Sequence, residues 1–317
     1  MIIIIKMKIL VTGGSGFLGM RLVESLLSKG HDVIVFSRHF SPEIEKTGAK
    51  QITGNVSDYD PLSGALSRVD IVYHLAANLD ESDPSMEKEN TESTENVINC
   101  CREKKIKRLI FTSSIGVLGN TNAPSTEDMQ YNPATRYEKS KMNCEKLIKA
   151  SGIPYTIARI TIIYGPNKFW TQIFKAAKKE YPVIGSGSNF WHLVHVDDAV
   201  DALCLMLDEK AKNQIYHVAD DNPHTYLDTY KMICKVLDLP EPNKHVPVFL
   251  VKAVALVHET KCRITGKRPN VTKMRSSIDR LIRNRIVSIE KAKKELGYRP
   301  KYDLRKGMEK TSEGLKI

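Results

Sequence analysis

Tyr137 and Lys141 stand four residues apart in the run Tyr137-Glu138-Lys139-Ser140-Lys141, a spacing that puts both side chains on one face of a helix. A cation beside a phenol stabilises the phenolate and lowers the tyrosine pKa. Tyr137 is then able to exchange a proton with an alcohol or carbonyl oxygen near neutral pH. Upstream, Thr112-Ser113-Ser114 close an apolar run. Ser114 is expected to hold the reacting oxygen, and Ser113 to satisfy backbone groups at the strand end. A Tyr-x-x-x-Lys pair alone is common on helix surfaces, so its meaning depends on a third motif. Gly13, Gly16 and Gly19 are spaced Gly-x-x-Gly-x-x-Gly within Gly13-Gly14-Ser15-Gly16-Phe17-Leu18-Gly19, directly after the apolar run Ile9 to Thr12. Glycines at a strand-to-helix turn let a pyrophosphate approach backbone N–H groups at the positive end of the helix.

The end of the second strand is where an adenosine ribose would lie, and an acidic residue there would favour NAD. The chain instead reads Phe36-Ser37-Arg38-His39. A small hydroxyl followed by a cation suits a 2′-phosphate, which makes NADP the preferred cofactor. NAD stays open, because Arg38 at a surface or stacked on adenine would serve either.

These residues need a scaffold that brings strand ends together. Short runs at Ile9 to Thr12, Val33 to Ser37, Ile71 to Leu75, Leu109 to Ser113 and Thr156 to Ile160 read as strands covered on both faces. Helical patterns lie between them at about 17–29, 60–67, 85–104 and 136–150. The alternation predicts an α/β fold, a Rossmann-type doubly wound parallel sheet over residues 1–165. Residues 166–317 are expected to form a smaller, mixed substrate-binding region, with part of 190–222 returning to the sheet. Its helices are predicted near 169–180, 197–208, 226–237, 246–262 and 289–296, the last with Ser288 as N-cap and Gly297 past its end.

Composition agrees with a globular protein. Of 317 residues, 41% are hydrophobic and 27% charged, which excludes a disordered, collagenous or disulfide-stapled chain. The six cysteines show no CxxC or zinc-site spacing and read as small buried hydrophobes in a reducing, cytoplasmic setting. The apolar run Ile2 to Ile5 is broken by Lys6 and Lys8, so neither export nor a membrane span is expected. The net charge of +11 is a C-terminal property: residues 261–310 hold 17 Lys/Arg against 5 Asp/Glu, whereas residues 1–260 balance at 30 against 31. Such a stretch attracts phosphates, an acidic membrane or nucleic acid, or simply keeps a surface solvated.

Taken together, the motifs resemble the extended short-chain dehydrogenase/reductase family, the NAD(P)-dependent epimerase/dehydratase group, over nearly the whole chain. Besides the glycine turn, Ser113-Ser114 and Tyr137 with Lys141, the resemblance rests on His74-Leu75-Ala76-Ala77, Asn90, Tyr164-Gly165-Pro166, Val194-His195-Val196-Asp197-Asp198 and Leu296-Gly297-Tyr298-Arg299-Pro300. It implies that Tyr137 is the general acid/base, that Lys141 holds the nicotinamide ribose, that Ser114 polarises the substrate oxygen and that Asn90 supports the site. The cofactor would contact Gly13, Ser15, Gly16, Phe17, Leu18 and Gly19 at the phosphates, and Ser37, Arg38, Asn55 and Val56 around the adenosine. Leu75, Ala76, Ala77, Thr112, Tyr137, Lys141, Ile160 and Ile163 would line its remainder. A homodimer is implied as well. His74 is read as a satisfied core histidine, and His195 and Asp197 as turn-forming residues.

The implied reaction is reversible hydride transfer between nicotinamide and a secondary alcohol or ketone carbon, with no metal. Substrate identity is open between a hydroxy or keto compound, as in the dihydroflavonol-reductase-like and 3β-hydroxysteroid-dehydrogenase-like branches, and a nucleotide sugar, as in the hopanoid-associated sugar epimerase group. The nucleotide-sugar alternative, an epimerase or dehydratase, would be supported by a basic pocket from Arg280, Arg283 or Arg285. Against it, Ile162 and Phe190-Trp191-His192 stand where sugar-nucleotide enzymes often carry polar or arginine contacts. A third alternative is a non-catalytic NADP-sensing protein. No nucleic-acid partner is expected, for want of an aromatic platform. The apolar stretch Val246 to Val257 reads by default as a buried core helix, with a substrate lid or a peripheral membrane contact as alternatives.

Overall fold

Apolar strands of this kind hide both faces only when they stack in parallel between helices, and the chain does so. The computed structural model describes residues 6–264, 278–279 and 281–316. Six strands, β1 (Lys8–Thr12), β2 (Asp32–Ser37), β3 (Lys50–Thr53), β4 (Ile71–His74), β5 (Arg108–Ser114) and β6 (Tyr155–Ile160), precede four short ones, β7 (Ile162–Tyr164), β8 (Val183–Ile184), β9 (Phe190–Trp191) and β10 (Leu193–His195). A later strand, β11 (Gln214–Val218), returns to β6 and completes a seven-stranded sheet of order β11-β6-β5-β4-β1-β2-β3. Every neighbouring pair is parallel. The strand order reverses between β1 and β4, and the crevice beyond the carboxyl ends at that point is where such sheets receive ligands.

Helices α1 (Phe17–Ser28) and α7 (Val196–Leu205) cover one face, where Leu22, Leu26, Ala199 and Leu203 join Val11 and Ile110 in one buried cluster. On the other face α3 (Tyr59–Ala65), α4 (Met86–Glu103) and α5 (Arg136–Ala150) contribute Leu62, Val97, Cys144 and Ile148. A separate aromatic cluster, with Tyr164, Trp170, Phe174, Trp191 and Tyr230, forms among α6 (Lys168–Lys178), α8 (Tyr226–Val236) and the C-terminal helix Leu304–Leu315. Cys100, Cys101, Cys144 and Cys234 are buried free thiols, and burial pushes the Cys100 thiol up to about 11, as expected of inert core residues.

Three expectations change. The edge strand β3 and the short helix α2 (Pro42–Glu45) were not anticipated; Lys-Gln-Ile-Thr lacks the continuous apolar run of strands paired on both sides. The helix near 289–296 starts at Glu290 with Ile289 as its N-cap, while Ser288 accepts from the Glu290 N–H at 3.3 Å; Gly297 ends it in the left-handed conformation as expected. The apolar stretch forms α9 (Val248–Ile264), yet it is not a core helix. Phe249, Val254 and Val257 are 69%, 64% and 69% exposed, and only Ala255 among its described side chains is fully buried. Among the described residues no helix is long and apolar enough to cross a membrane. The run Ile2 to Ile5 and Arg280 lie outside the described residues.

One buried cation ties the sheet to α7. Arg108, at the start of β5, donates through Nη1 to the carbonyls of Met206 and Asp208 at 3.0 and 2.6 Å and through Nη2 to that of Leu207 at 3.1 Å, satisfying groups that the end of a helix leaves open. Arg108→Met is expected to cost about 2–3 kcal/mol, since charge-assisted bonds to buried carbonyls are lost. A denaturation midpoint equal to that of the parent protein would contradict this role.

Candidate active site

The turn after β1 is built for close backbone approach. Gly13 has a φ of +71°, and a Cβ there would sit 2.7 Å from the Ala76 amide nitrogen; a Cβ on Gly19 would sit 2.2 Å from the Gly13 carbonyl oxygen. Neither position tolerates a side chain, so the turn packs flat against the end of β4. Helix α1 then begins at Phe17 with Gly16 as its N-cap and no side-chain cap. Its first N–H groups are therefore left for a ligand, at the positive end of the helix dipole. This cradle fits a dinucleotide pyrophosphate.

From the cradle a cleft of about 1030 Å³ runs along the carboxyl edge of the sheet. All the residues expected from the sequence line it: Gly13, Ser15, Gly16, Phe17, Leu18 and Gly19 at the turn; Ser37, Arg38, Asn55 and Val56 at one end; and Leu75, Ala76, Ala77, Asn90, Thr112, Ser114, Tyr137, Lys141, Ile160 and Ile163 toward the other. The Ser37 hydroxyl donates to the His39 carbonyl at 2.9 Å, which bends the chain after β2 and leaves Arg38 exposed at the rim.

At the far end, α5 carries Tyr137 and Lys141 in its first two turns. Its start is fixed by a capping box, in which Thr135 Oγ1 accepts the Glu138 N–H and the Glu138 carboxylate accepts the Thr135 N–H. Lys141 is buried and donates to the Thr112 carbonyl at 2.8 Å, with Nζ lying 4.6 Å from the centre of the Phe111 ring and 5.9 Å from that of Tyr137. Desolvation brings its pKa down to about 8, against the pull of nearby Cys144 and Glu145. Ser114 Oγ accepts the Gly116 N–H at 3.1 Å, so its own proton is available to another acceptor.

Ser113 departs from expectation. Its hydroxyl donates to Glu145 Oε1 at 2.5 Å rather than to the backbone, because a fully buried carboxylate lies directly opposite on α5. Glu145 also receives Arg159 Nη2 at 2.9 Å and the Tyr131 hydroxyl at 2.8 Å. The network bolts β5 and β6 to α5 beside Lys141. Asn90 is a brace: its Oδ1 accepts the Asn78 N–H at 2.7 Å, while its Nδ2 donates to the Asn78 carbonyl at 2.9 Å and to Ser140 Oγ at 3.1 Å. His74 lies between Thr12 Oγ1 at 2.8 Å and Thr94 Oγ1 at 3.2 Å, and burial lowers its pKa to about 3, so it is a neutral core residue. His195 is kept neutral by burial and accepts the Asp197 N–H at the start of α7. Both histidines are structural.

The sequence reading missed Asn78, Asp80, Glu89 and Ser93, which line the cleft opposite the sheet. Asn78 and Asp80 read as part of a surface turn, and Glu89 and Ser93 as solvent-facing helix positions of α4; hydrogen bonds from Asn78 to Asn90, Asp83 and Glu89 hold the turn against that helix beside the cleft. It also missed that Arg283 and Arg285 are paired with Glu138: Arg285 Nη2 lies 2.6 Å from Oε1 and Arg283 Nη1 lies 3.2 Å from Oε2.

Comparison with known proteins agrees with this geometry. Residues 9–219 match the model of the NAD dependent epimerase/dehydratase family. The chain belongs to this family. It is accordingly an NAD(P)-dependent oxidoreductase of the epimerase/dehydratase type. It is similar to the 2-alkyl-3-oxoalkanoate reductase of Stenotrophomonas maltophilia, at 26% identity covering 95% of this chain and 97% of the relative. It is equally similar to the decarboxylating sterol-4-alpha-carboxylate 3-dehydrogenase of Dictyostelium discoideum, at 26% identity with 95% and 99% covered. Its fold is that of the UDP-glucose 4-epimerase of Thermotoga maritima, with a TM-score of 0.79 at 23% identity and 98% and 99% of the two chains covered.

Gly19→Ala is expected to abolish binding of the reduced dinucleotide, followed by quenching of protein fluorescence, because the added methyl collides with the Gly13 carbonyl. Binding within about twofold of the parent would show that the turn yields and is no cradle.

Proposed function

We propose that this enzyme is an NADP-preferring reductase or dehydrogenase that interconverts a ketone and a secondary alcohol on a substrate without a nucleotide, with Tyr137 as acid/base. The observation that carries the reading is the meeting of Ser114, Tyr137 and Lys141 on one wall of a cleft whose other end is the glycine cradle. In the reductive direction Ser114 donates a hydrogen bond to the carbonyl oxygen and Tyr137 gives that oxygen its proton. Lys141 then stabilises the phenolate left behind. A bound nicotinamide supplies the hydride in this direction and accepts it in the other. The free N–H groups of the first turn of α1 hold the pyrophosphate, Arg38 the 2′-phosphate, with the Ser37 hydroxyl engaged by the His39 carbonyl and shaping the turn beside it, and Asn55 and Val56 the adenine. Residues 1–165 serve mainly the cofactor and residues 166–317 the substrate. Assembly as a homodimer, on family resemblance, and a cytoplasmic location, on the unpaired buried cysteines, belong to the same proposal.

Charge weighs against a nucleotide-bearing substrate. The two described arginines that would have supported diphosphate binding are engaged by Glu138, and Ile162 and Trp191 bring apolar surface in place of polar contacts. The two relatives are named for compounds that carry both an oxygen function at carbon 3 and a carboxylate. A hydroxy or keto acid with an apolar body is the class we assign.

With NADPH and a 2-alkyl-3-oxoalkanoate, Tyr137→Phe is expected to lower kcat by on the order of 100-fold to 10,000-fold while NADPH still binds. Undiminished turnover would remove Tyr137 from the proton step. Because burial lowers the Lys141 pKa, the ammonium is present below about 8 and lost above it, so reduction is expected to slow as pH rises through that value. A rate that climbs steadily to pH 10 would contradict this.

Arg38→Gln is expected to weaken NADPH binding by roughly 10-fold to 100-fold, the worth of a charge-assisted bond to phosphate, and to leave NADH binding unchanged. Equal loss for both cofactors would exclude a 2′-phosphate contact. Tighter binding of UDP-glucose than of the oxo acid would overturn the substrate class.

A further inference from the structure

Glu138 sits next to Tyr137 in the chain, and its carboxylate is the point where three parts of the molecule meet. Its side chain is 1% exposed, and both oxygens are occupied. Oε2 accepts the N–H groups of Ala134 and Thr135 at 2.9 and 3.0 Å, closing the first turn of the helix that carries Tyr137. Oε1 accepts Arg285 Nη2 at 2.6 Å, and Arg283 Nη1 lies 3.2 Å from Oε2. The space for the side chain is provided by Gly116, where a Cβ would sit 2.7 Å from Glu138 Cγ. Gly116 is also the residue whose N–H is accepted by Ser114 Oγ. One carboxylate thus bears on the turn that presents Ser114 and on the helix that presents Tyr137.

The arginine side of the contact is equally fixed. Arg285 donates its N–H to the Phe190 carbonyl at 3.0 Å, and its own carbonyl accepts the His192 N–H at 3.1 Å. On either side of it, the Asn284 and Ile286 carbonyls accept the N–H groups of Thr121 and Ser125. The segment is therefore woven between the loop that follows β5 and strand β9, on the side of the molecule that carries the aromatic cluster.

Helix capping does not explain this arrangement. A glutamine at 138 would still offer an oxygen to the Thr135 and Ala134 N–H groups, at a modest loss to the helix dipole, whereas pairing with the two guanidinium groups requires the negative charge. A buried ion pair adds little net stability, because desolvation offsets most of the attraction, but it fixes relative geometry closely. We propose that Glu138 is a positioning residue for Tyr137, and that Arg285 is the contact through which the C-terminal segment sets the pose of the phenol. The proposal rests on the assignment of Tyr137 to the proton step.

The test uses the 317-residue enzyme and the variants Glu138→Gln, Arg285→Met, Arg285→Lys and the Gln/Met double. With NADPH and the 2-alkyl-3-oxoalkanoate, Glu138→Gln and Arg285→Met are each expected to lower kcat by on the order of 100-fold, the scale of a misplacement of about 1 Å at a reacting group. The NADPH dissociation constant stays within about twofold, since the cradle lies elsewhere. The double variant falls no further than the worse single, as for residues acting as one unit, and Arg285→Lys recovers part of the loss. Effects that multiply in the double, or a lowered Tm with kcat per folded molecule unchanged, would overturn the proposal.

A readout that needs no substrate separates this idea from the functional reading. With Tyr137→3-fluorotyrosine, the fluorine resonance and its titration are expected to shift on Glu138→Gln, toward a higher pKa as the phenol drifts from Lys141. An unmoved resonance would refute the positioning role. A shifted resonance in a parent enzyme that reduces no oxo acid would refute the proposed substrate and leave the positioning role supported.

Discussion

Lys141 is an ammonium held out of water, and the geometry of the site depends on how that burial is tolerated. A lone buried cation costs several kcal/mol and tends to shed its proton. Here the Thr112 carbonyl accepts from it at 2.8 Å and the Phe111 ring lies under it. Desolvation lowers its pKa to about 8, opposed by Cys144 and Glu145 nearby. The ammonium therefore persists at neutral pH in a low-dielectric setting, where its field on the Tyr137 ring 5.9 Å away is screened far less than in solvent.

That cation requires a rigid surround. Glu145, wholly buried on the same helix, is neutralised by Arg159 and hydrogen-bonded by Ser113 and Tyr131, which fastens α5 to the ends of β5 and β6. Asn90 and Ser140 brace the opposite side, through α4 and the loop at Asn78. Parallel strand order sets all of this beside the glycine turn, because β1, β4 and β5 are neighbours whose carboxyl ends open on the same edge. The glycine turn and the Tyr137–Lys141 pair are thus joined by one sheet.

Much of this was legible in the chain. The Gly13 to Gly19 spacing, the Tyr137 and Lys141 pair and Ser114 carry their chemistry in local sequence, and the strands that bear them announce themselves as unbroken apolar runs. Other features have no local signature. Edge strand β3 is short and mostly polar, and α9 shares its apolar composition with buried helices although Phe249 and Val257 face solvent. Ser113, read as a backbone partner, is claimed by Glu145, 32 residues away in the chain.

Sequence by itself determined which groups exist and how they are spaced within one element, because turn chemistry, helical period and strand burial act over a few residues. Tertiary structure decided which of those groups are charged, paired or free. Glu138 and Glu145 lie seven residues apart on one helix, yet one meets Arg283 and Arg285 from the C-terminal segment and the other meets Arg159 from β6. Such pairings depend on packing between distant segments. The same packing removes Arg283 and Arg285 from any open basic pocket, so the substrate class turns on contacts that no short stretch of sequence contains.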